Sequence, residues 1–214
     1  MRYFFEDHHS HDLIVFFAGW GCDENQFTNL HDRKDVLILY DYHDLSLNFD
    51  FTRYANIYVI AYSAGVFVAS IMADQLPNLR CKIAVCGNPY LFDENLGISQ
   101  ATVQVLNDIT LDNYLDFRRR YMVFSNDEYE RYNQLQSLRT LESCADELTA
   151  LQKMYNESRA QINPLFDKAI VADNDLIFRL SAQQDFYKEK LHIIPNARHH
   201  VFFRFKSFEE MLKT

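Results

Sequence analysis

Three groups of residues have the types and order needed for nucleophilic chemistry: a serine with a small residue two places to either side, a late pair of acids and a late pair of histidines. The serine lies in Ala61-Tyr62-Ser63-Ala64-Gly65, directly after an apolar run and directly before a helical pattern. A serine on a tight strand-to-helix turn projects its hydroxyl beyond the sheet. The residues two before and two after it must be small, because the strand and helix backbones approach there. Gly usually fills both places, so Ala61 is a departure from the pattern. The competing use of such a serine is to cap the helix that follows. A serine nucleophile needs a base within reach and an acid to orient that base. Asp173-Asn174-Asp175 follows the apolar run Ala169 to Ala172. Asp175, just ahead of Leu176-Ile177, is preferred as the acid, which leaves Asp173 as a turn residue or cap. His199-His200 follows the run His192 to Pro195. His199 is preferred as the base, with His200 packing or meeting solvent. Early in the chain, Ala18-Gly19-Trp20-Gly21 closes another apolar run. Two glycines around one residue let its N–H turn inward, so the N–H groups of Trp20 and Ala64 are the expected donors to an oxyanion.

These residues need a scaffold that presents them on one edge. Short apolar runs supply it: Leu13–Phe17, Val36–Tyr40, Ile57–Tyr62, Ile83–Cys86, Ala169–Ala172 and His192–Pro195, with Tyr3–Phe5 as a possible edge. Each is apolar on both faces and ends at a turn residue or polar cluster, as strands of a parallel sheet covered on both sides do. Val66, Ala69, Ser70, Ala73 and Leu76 repeat with helical spacing between the third and fourth runs. The strand–helix–strand order gives a right-handed βαβ unit and an α/β, doubly wound, mostly parallel sheet. Residues 93–167 are rich in helix formers, notably Leu138 to Met154, and are too long for an ordinary crossover. They are expected to form a small helical lid inserted before the late strands of a single domain spanning 1–214, the alternative being further core helices. No repeat or low-complexity tract interrupts the pattern.

Composition narrows the classes. Hydrophobic residues make up 48% and charged residues 24% of the 214, enough for a sizeable core. Most of the 18 Phe and 13 Tyr rings must be buried. A net charge of −9 argues against nucleic-acid binding. Cys22, Cys81, Cys86 and Cys144 have neither CxxC spacing nor a disulfide pattern. His8-His9-Ser10-His11 lacks a partnering carboxylate pattern, so no metal or cofactor is expected. The N-terminus turns polar at once, and no apolar stretch approaches the length of a membrane helix. The cytoplasm is therefore the expected compartment.

Taken together, Phe16-Phe17-Ala18-Gly19-Trp20-Gly21, Tyr40-Asp41-Tyr42, Ala61-Tyr62-Ser63-Ala64-Gly65 and His199-His200-Val201-Phe202 resemble the BioG-type pimeloyl-[acyl-carrier protein] methyl ester esterases of the α/β-hydrolase superfamily. The resemblance spans nearly the whole chain, and His200 stands where an aromatic residue is common. It implies hydrolysis of the methyl ester of pimeloyl-[acyl-carrier protein], with release of methanol, in biotin synthesis. It supports Ser63, Asp175 and His199 as catalytic residues and Trp20 and Ala64 as backbone donors. It also implies that a lid carrying Phe117-Arg118-Arg119-Arg120 and Glu130-Arg131-Tyr132 meets the acidic carrier protein. Three consecutive arginines on an acidic chain make a local positive spot on independent grounds, although a solvated helix face would read the same. The rival activities are a generalist carboxylesterase or thioesterase. The rival outside enzymes is a hydrolase-fold binding module without turnover.

Overall fold

The computed structural model describes residues 1–214. Seven strands form one sheet: β1 (Arg2–Glu6), β2 (Asp12–Phe17), β3 (Asp35–Tyr40), β4 (Asn56–Tyr62), β5 (Leu79–Val85), β6 (Lys168–Ala172) and β7 (Leu191–Ile194). Their order across the sheet is β1-β3-β2-β4-β5-β6-β7. Only β1 runs antiparallel, against β3. All the other neighbours are parallel. β2 and β4, which lead to Trp20 and Ser63, are central because apolar residues cover both their faces. β7, which leads to His199, is an edge strand with His192 and Ile193 exposed, and so is not covered on both sides as its sequence suggested. Leu13, Val15 and Phe17 enter one core, and Ile14, Phe16 and Ala18 enter the other. That alternation is the period of a pleated strand.

The two faces are covered unequally. On one face lie α1 (Ala64–Met72), between β4 and β5, and α6 (Leu180–Tyr187), between β6 and β7. The same side carries four helices inserted between β5 and β6: α2 (Gln100–Asn107), α3 (Tyr114–Phe117), α4 (Asn126–Gln134) and α5 (Leu141–Ser158). The last turn after α3, Arg118–Met122, is π-helical. No α-helix joins β2 to β3 or β3 to β4, so strict alternation of strand and helix does not extend to the early strands. The second face is closed instead by a 3₁₀ turn at Glu24–Phe27, a second at Phe202–Arg204, and the C-terminal α7 (Phe208–Lys213). Large rings make this thin cover sufficient. Phe16 packs on Phe27, Phe202 and Phe208 at centroid distances of 4.7, 5.6 and 4.5 Å. Each buried ring removes about 150–250 Å² from water. The stretch of helix formers from Leu138 to Met154 turns helical at Leu141, where the Thr140 side chain caps the helix by accepting from Ser143 N–H (3.1 Å). All four cysteines are free thiols. No helix is long and apolar enough to cross a membrane.

Candidate active site

The site is built on the turn between β4 and α1. Ser63 has φ 55° and ψ −123°, a conformation that costs a non-glycine residue about 1–3 kcal/mol and persists only where its surroundings enforce it. Two glycines make this possible. A methyl group at Gly65 would stand 2.2 Å from the Phe17 carbonyl oxygen and 2.4 Å from that of Ala18. One at Gly87, just past β5, would stand 2.6 Å from the Ser63 carbonyl oxygen. Strand, turn and helix therefore interlock only without those side chains. Ser63 makes no side-chain cap to α1, so its hydroxyl is free for other use.

That hydroxyl meets His199. Ser63 Oγ lies 2.9 Å from His199 Nε2, and His199 Nδ1 lies 2.9 Å from Asp175 Oδ2. The second carboxylate oxygen of Asp175 accepts from the N–H groups of Ile177 (2.8 Å) and Phe178 (3.0 Å). A carboxylate at Nδ1 favours the tautomer with its proton there, which leaves Nε2 to accept from the serine. The imidazole is also held from the sides: Phe178 stacks on it at 5.9 Å and 8°, and Tyr62 lies at 5.0 Å. All three side chains of the chain Asp175–His199–Ser63 come from loops at the carboxyl edge of the sheet.

The alternatives weighed in the sequence occupy other places. Asp173 is turned toward the last loop and accepts from the N–H groups of Asn196 (3.0 Å) and Ala197 (3.1 Å). Partial burial works against its ionisation, but these N–H groups hold its carboxyl below the usual range. His200 is buried among Tyr132, Phe202 and Phe203, at centroid distances of 4.7, 5.2 and 4.7 Å. Its Nε2 has no partner. Desolvation, with lesser repulsion from His199, Arg118 and Arg131, pushes its pKa down to about 3, so it is a neutral packing residue. The N-terminal histidines converge on no metal-binding group.

The N–H groups of Trp20 and Ala64 have no loop, turn or side-chain acceptor. Ala64 opens α1, where no intrahelical acceptor exists. The loop bearing Trp20 is fixed by residues that the sequence reading missed. Glu147, on α5 and fully buried, accepts from Gly21 N–H through Oε2 and from Tyr42 N–H through Oε1, both at 2.9 Å. Arg139 donates to the same Glu147 Oε2 (2.5 Å) and, through its other nitrogen, to Asp41 (2.8 Å). The Trp20 indole N–H donates to the Cys144 carbonyl (2.6 Å). These bonds give Gly19-Trp20-Gly21 and Tyr40-Asp41-Tyr42 a shared physical purpose, since one carboxylate joins both loops. The signal was present in α5. Cys144, Glu147, Leu148, Leu151 and Tyr155 form one buried face, and a Glu at a core-facing helical position needs buried donors. The insertion reaches the histidine loop as well: His199 N–H donates to the Tyr121 carbonyl (3.3 Å) and His200 N–H to that of Met122 (2.8 Å).

Ser63 and His199 open into a narrow cavity lined by 24 residues, 18 of them apolar. The inserted helices supply Leu106, Phe117, Met122, Leu141 and Leu148 to its wall. Trp20 is part of the wall too. The arginine run is split by the π-turn. Arg118 faces into this cavity and is buried, whereas Arg119 and Arg120 are exposed beside Arg198 in a separate shallow depression that also includes Phe124 and Asn126. Arg131, on α4, lies over the Phe203 ring at 4.2 Å. The arrangement can deprotonate a serine, hold a developing oxyanion with two backbone donors, and keep a chain of methylenes out of water.

A family model described as pimeloyl-ACP methyl esterase BioG matches residues 1–211. The chain is 35% identical over 187 residues to a malonyl-[acyl-carrier protein] O-methyltransferase of Bacteroides fragilis (strain 638R). That match covers 83% of this chain but only 37% of the Bacteroides protein. An uncharacterized protein of Haemophilus influenzae is 32% identical over 209 residues, with 96% of each chain covered. The crystal structure of BioG from H. influenzae superposes with a TM-score of 0.85 at 32% identity, covering 98% of this chain and 99% of that one. A bromoperoxidase from Bacillus anthracis superposes at 0.68 with 16% identity, covering 99% and 94%, and shares the α/β-hydrolase fold alone.

Proposed function

The chain belongs to the BioG family, and from that premise we propose that it is a serine hydrolase that removes the methyl ester from pimeloyl-[acyl-carrier protein] in biotin synthesis, releasing methanol. The observation that carries the reading is the continuous hydrogen-bond chain Asp175–His199–Ser63, at 2.9 Å per link, opening into an apolar cavity. As Ser63 Oγ attacks the ester carbonyl, His199 Nε2 takes its proton and Asp175 stabilises the imidazolium. Trp20 and Ala64 N–H groups receive the oxyanion. The tetrahedral intermediate collapses, His199 returns the proton to the leaving methoxide, and methanol departs. Water, deprotonated by the same imidazole, then attacks the acyl-serine and frees the acid.

Residues 93–167 act in this reading as the lid of the single domain, and Arg119 and Arg120 as the surface that meets the acidic carrier, with Arg131 adding positive charge on α4. Arg118 is assigned to the substrate within the cavity. The neutral, partnerless His200 serves packing, and no cofactor or metal takes part. The methyltransferase name belongs to a protein of which this chain spans about a third, and the serine-centred site supports hydrolysis rather than methyl transfer.

The test is methanol release from a methyl-esterified pimeloyl carrier-protein conjugate, followed by mass loss. Ser63→Ala is expected to lose about 10⁶ in turnover. Retention of most activity by that variant refutes the serine mechanism. Prompt labelling of Ser63 by a fluorophosphonate without demethylation retains the hydrolase and discards the substrate. Charge reversal at Arg119 and Arg120 is expected to slow carrier-bound substrate and spare small methyl esters, and an equal loss on both refutes carrier docking.

A further inference from the structure

The cavity has two polar poles. One is Ser63 with His199. The other is formed by Arg118, which is 2% exposed, and the residues around it. The remaining buried cations have acids to match: Lys82 has Asp74, and Arg139 has Glu147 and Asp41. Arg118 has none. One of its nitrogens donates to the Tyr132 carbonyl (2.7 Å), and its guanidinium lies over the rings of Tyr132 (4.4 Å) and Tyr114 (5.5 Å). Its Nε and Nη1 are buried without a hydrogen-bond partner. Beside it, the Tyr132 hydroxyl accepts from Gln26 Nε2 (3.0 Å), which leaves its own proton to donate. Arg118, Tyr132 and Gln26 all line the cavity shared with Ser63.

A buried guanidinium with two idle donor nitrogens is unfavourable unless something with acceptor oxygens completes it. The ring contacts hold its plane and do not satisfy those donors. The walls between the two poles are apolar. A ligand matching this pattern has an ester at one end, a methylene chain in the middle and a second oxygen function at the other end. We infer that Arg118, assisted by the Tyr132 hydroxyl, forms a subsite for the distal carbonyl or carboxylate oxygen of an acyl chain whose methyl ester lies at Ser63. The inference rests on the esterase reading for the position of the ester. It makes Arg118 the residue that selects chains derived from dicarboxylic acids over monocarboxylic ones. It also separates Arg118 from Arg119 and Arg120, its exposed neighbours in sequence.

Binding decides this without turnover. Calorimetric titration of the Ser63→Ala protein would compare methyl heptanoate, which has no distal oxygen, dimethyl pimelate, whose distal oxygen is neutral, and monomethyl pimelate, whose distal group is a carboxylate. One or both pimelates are expected to bind about tenfold more tightly than methyl heptanoate, the scale of one hydrogen bond to a charged group. The arm showing the gain identifies a carboxylate or a neutral carbonyl as the preferred group. Adding Arg118→Gln is expected to abolish the preference and leave methyl heptanoate within about twofold, which loss of a merely structural strut would not do. Equal affinities for all three ligands, no binding by any, or a preference that survives Arg118→Gln overturns the subsite. The first comparison leaves Arg118 in place and stands even if the substituted chain misfolds. Loss of the esterase reading would appear in methanol release, loss of this one in the binding preference.

Discussion

Replacing Glu147 tests whether α5 positions the oxyanion loop. The carboxylate has four acceptor sites and serves three donors: Gly21 N–H, Tyr42 N–H and the Arg139 guanidinium. Burial raises its pKa, while Arg139 and the two N–H groups act to lower it. Glu147→Ala strips a buried ion pair of one partner, which costs about 3–5 kcal/mol. It also leaves two backbone N–H groups without acceptors, at about 1–3 kcal/mol each. These losses overlap, but any large part of them is a serious fraction of a stability of about 5–15 kcal/mol, so this variant is expected to fold poorly. Glu147→Gln is the sharper probe. It keeps the volume but presents one carbonyl oxygen and one NH₂, so either the Gly21 or the Tyr42 N–H must face another donor. A folded protein destabilised by about 2–4 kcal/mol is expected. Gly21 adjoins Trp20, so displacement of the loop should lower kcat by about 10- to 100-fold, less than the 10²–10³ of deleting a donor outright. KM for a small methyl ester should change little, because the cavity wall is intact. Urea denaturation gives the stability, and methanol release gives kcat and KM. A folded Glu147→Gln protein with kcat within twofold of the native value would refute the positioning role.

Asp175→Asn is expected to reduce turnover about 10⁴-fold by favouring the wrong imidazole tautomer. Asp173→Asn removes a charge from a loop anchor and should cost less than tenfold, with kcat for the two variants measured side by side. Gly65→Ala would drive a methyl into two carbonyl oxygens at 2.2 and 2.4 Å, so the turn must shift. A loss of at least about 1–3 kcal/mol is expected, together with slower fluorophosphonate labelling of Ser63. His200 gives a pH signature: its pKa is about 3 in the folded state against 6.5 unfolded. The unfolded chain therefore binds that proton more readily below pH 6.5. The neutral side chain's contribution to stability is fully present above 6.5 and is lost as pH falls toward 3, by about 1.4 kcal/mol at pH 5.5. His200→Phe should lessen the fall in Tm between pH 7.5 and 5.5, and an unchanged fall would contradict the assignment.

The strands and the order Ser63, Asp175, His199 were legible because each rests on local rules. Doubly apolar runs mark central strands, and small residues must flank a strained turn. The position of Gly65 could be reasoned from sequence alone. The need for Gly87 could not, because its close contact is with Ser63, 24 residues earlier. The thin cover of the second face was not legible either. It depends on Phe27, Phe202 and Phe208 meeting on Phe16 from distant parts of the chain. The arginine run looked like one patch because adjacent letters suggest adjacent charges, but successive helical side chains point in different directions. Arg118 therefore turns inward while its neighbours face solvent. Glu147 lay in plain view on an apolar face, but its partners at Gly21 and Tyr42 are more than a hundred residues away.

The inserted helices line the cavity, and they are also hydrogen-bonded to the loops beside Ser63. α5 holds the Trp20 loop through Cys144 and Glu147, and the π-turn holds the histidine loop through the carbonyls of Tyr121 and Met122. The insertion works as a keystone. Lifting α5 or the π-turn to admit a long acyl chain would also loosen the oxyanion donors and the imidazole. One set of hydrogen bonds thus joins the cavity wall to the loops that carry Trp20 and His199, so the insertion and the candidate site are mechanically one unit.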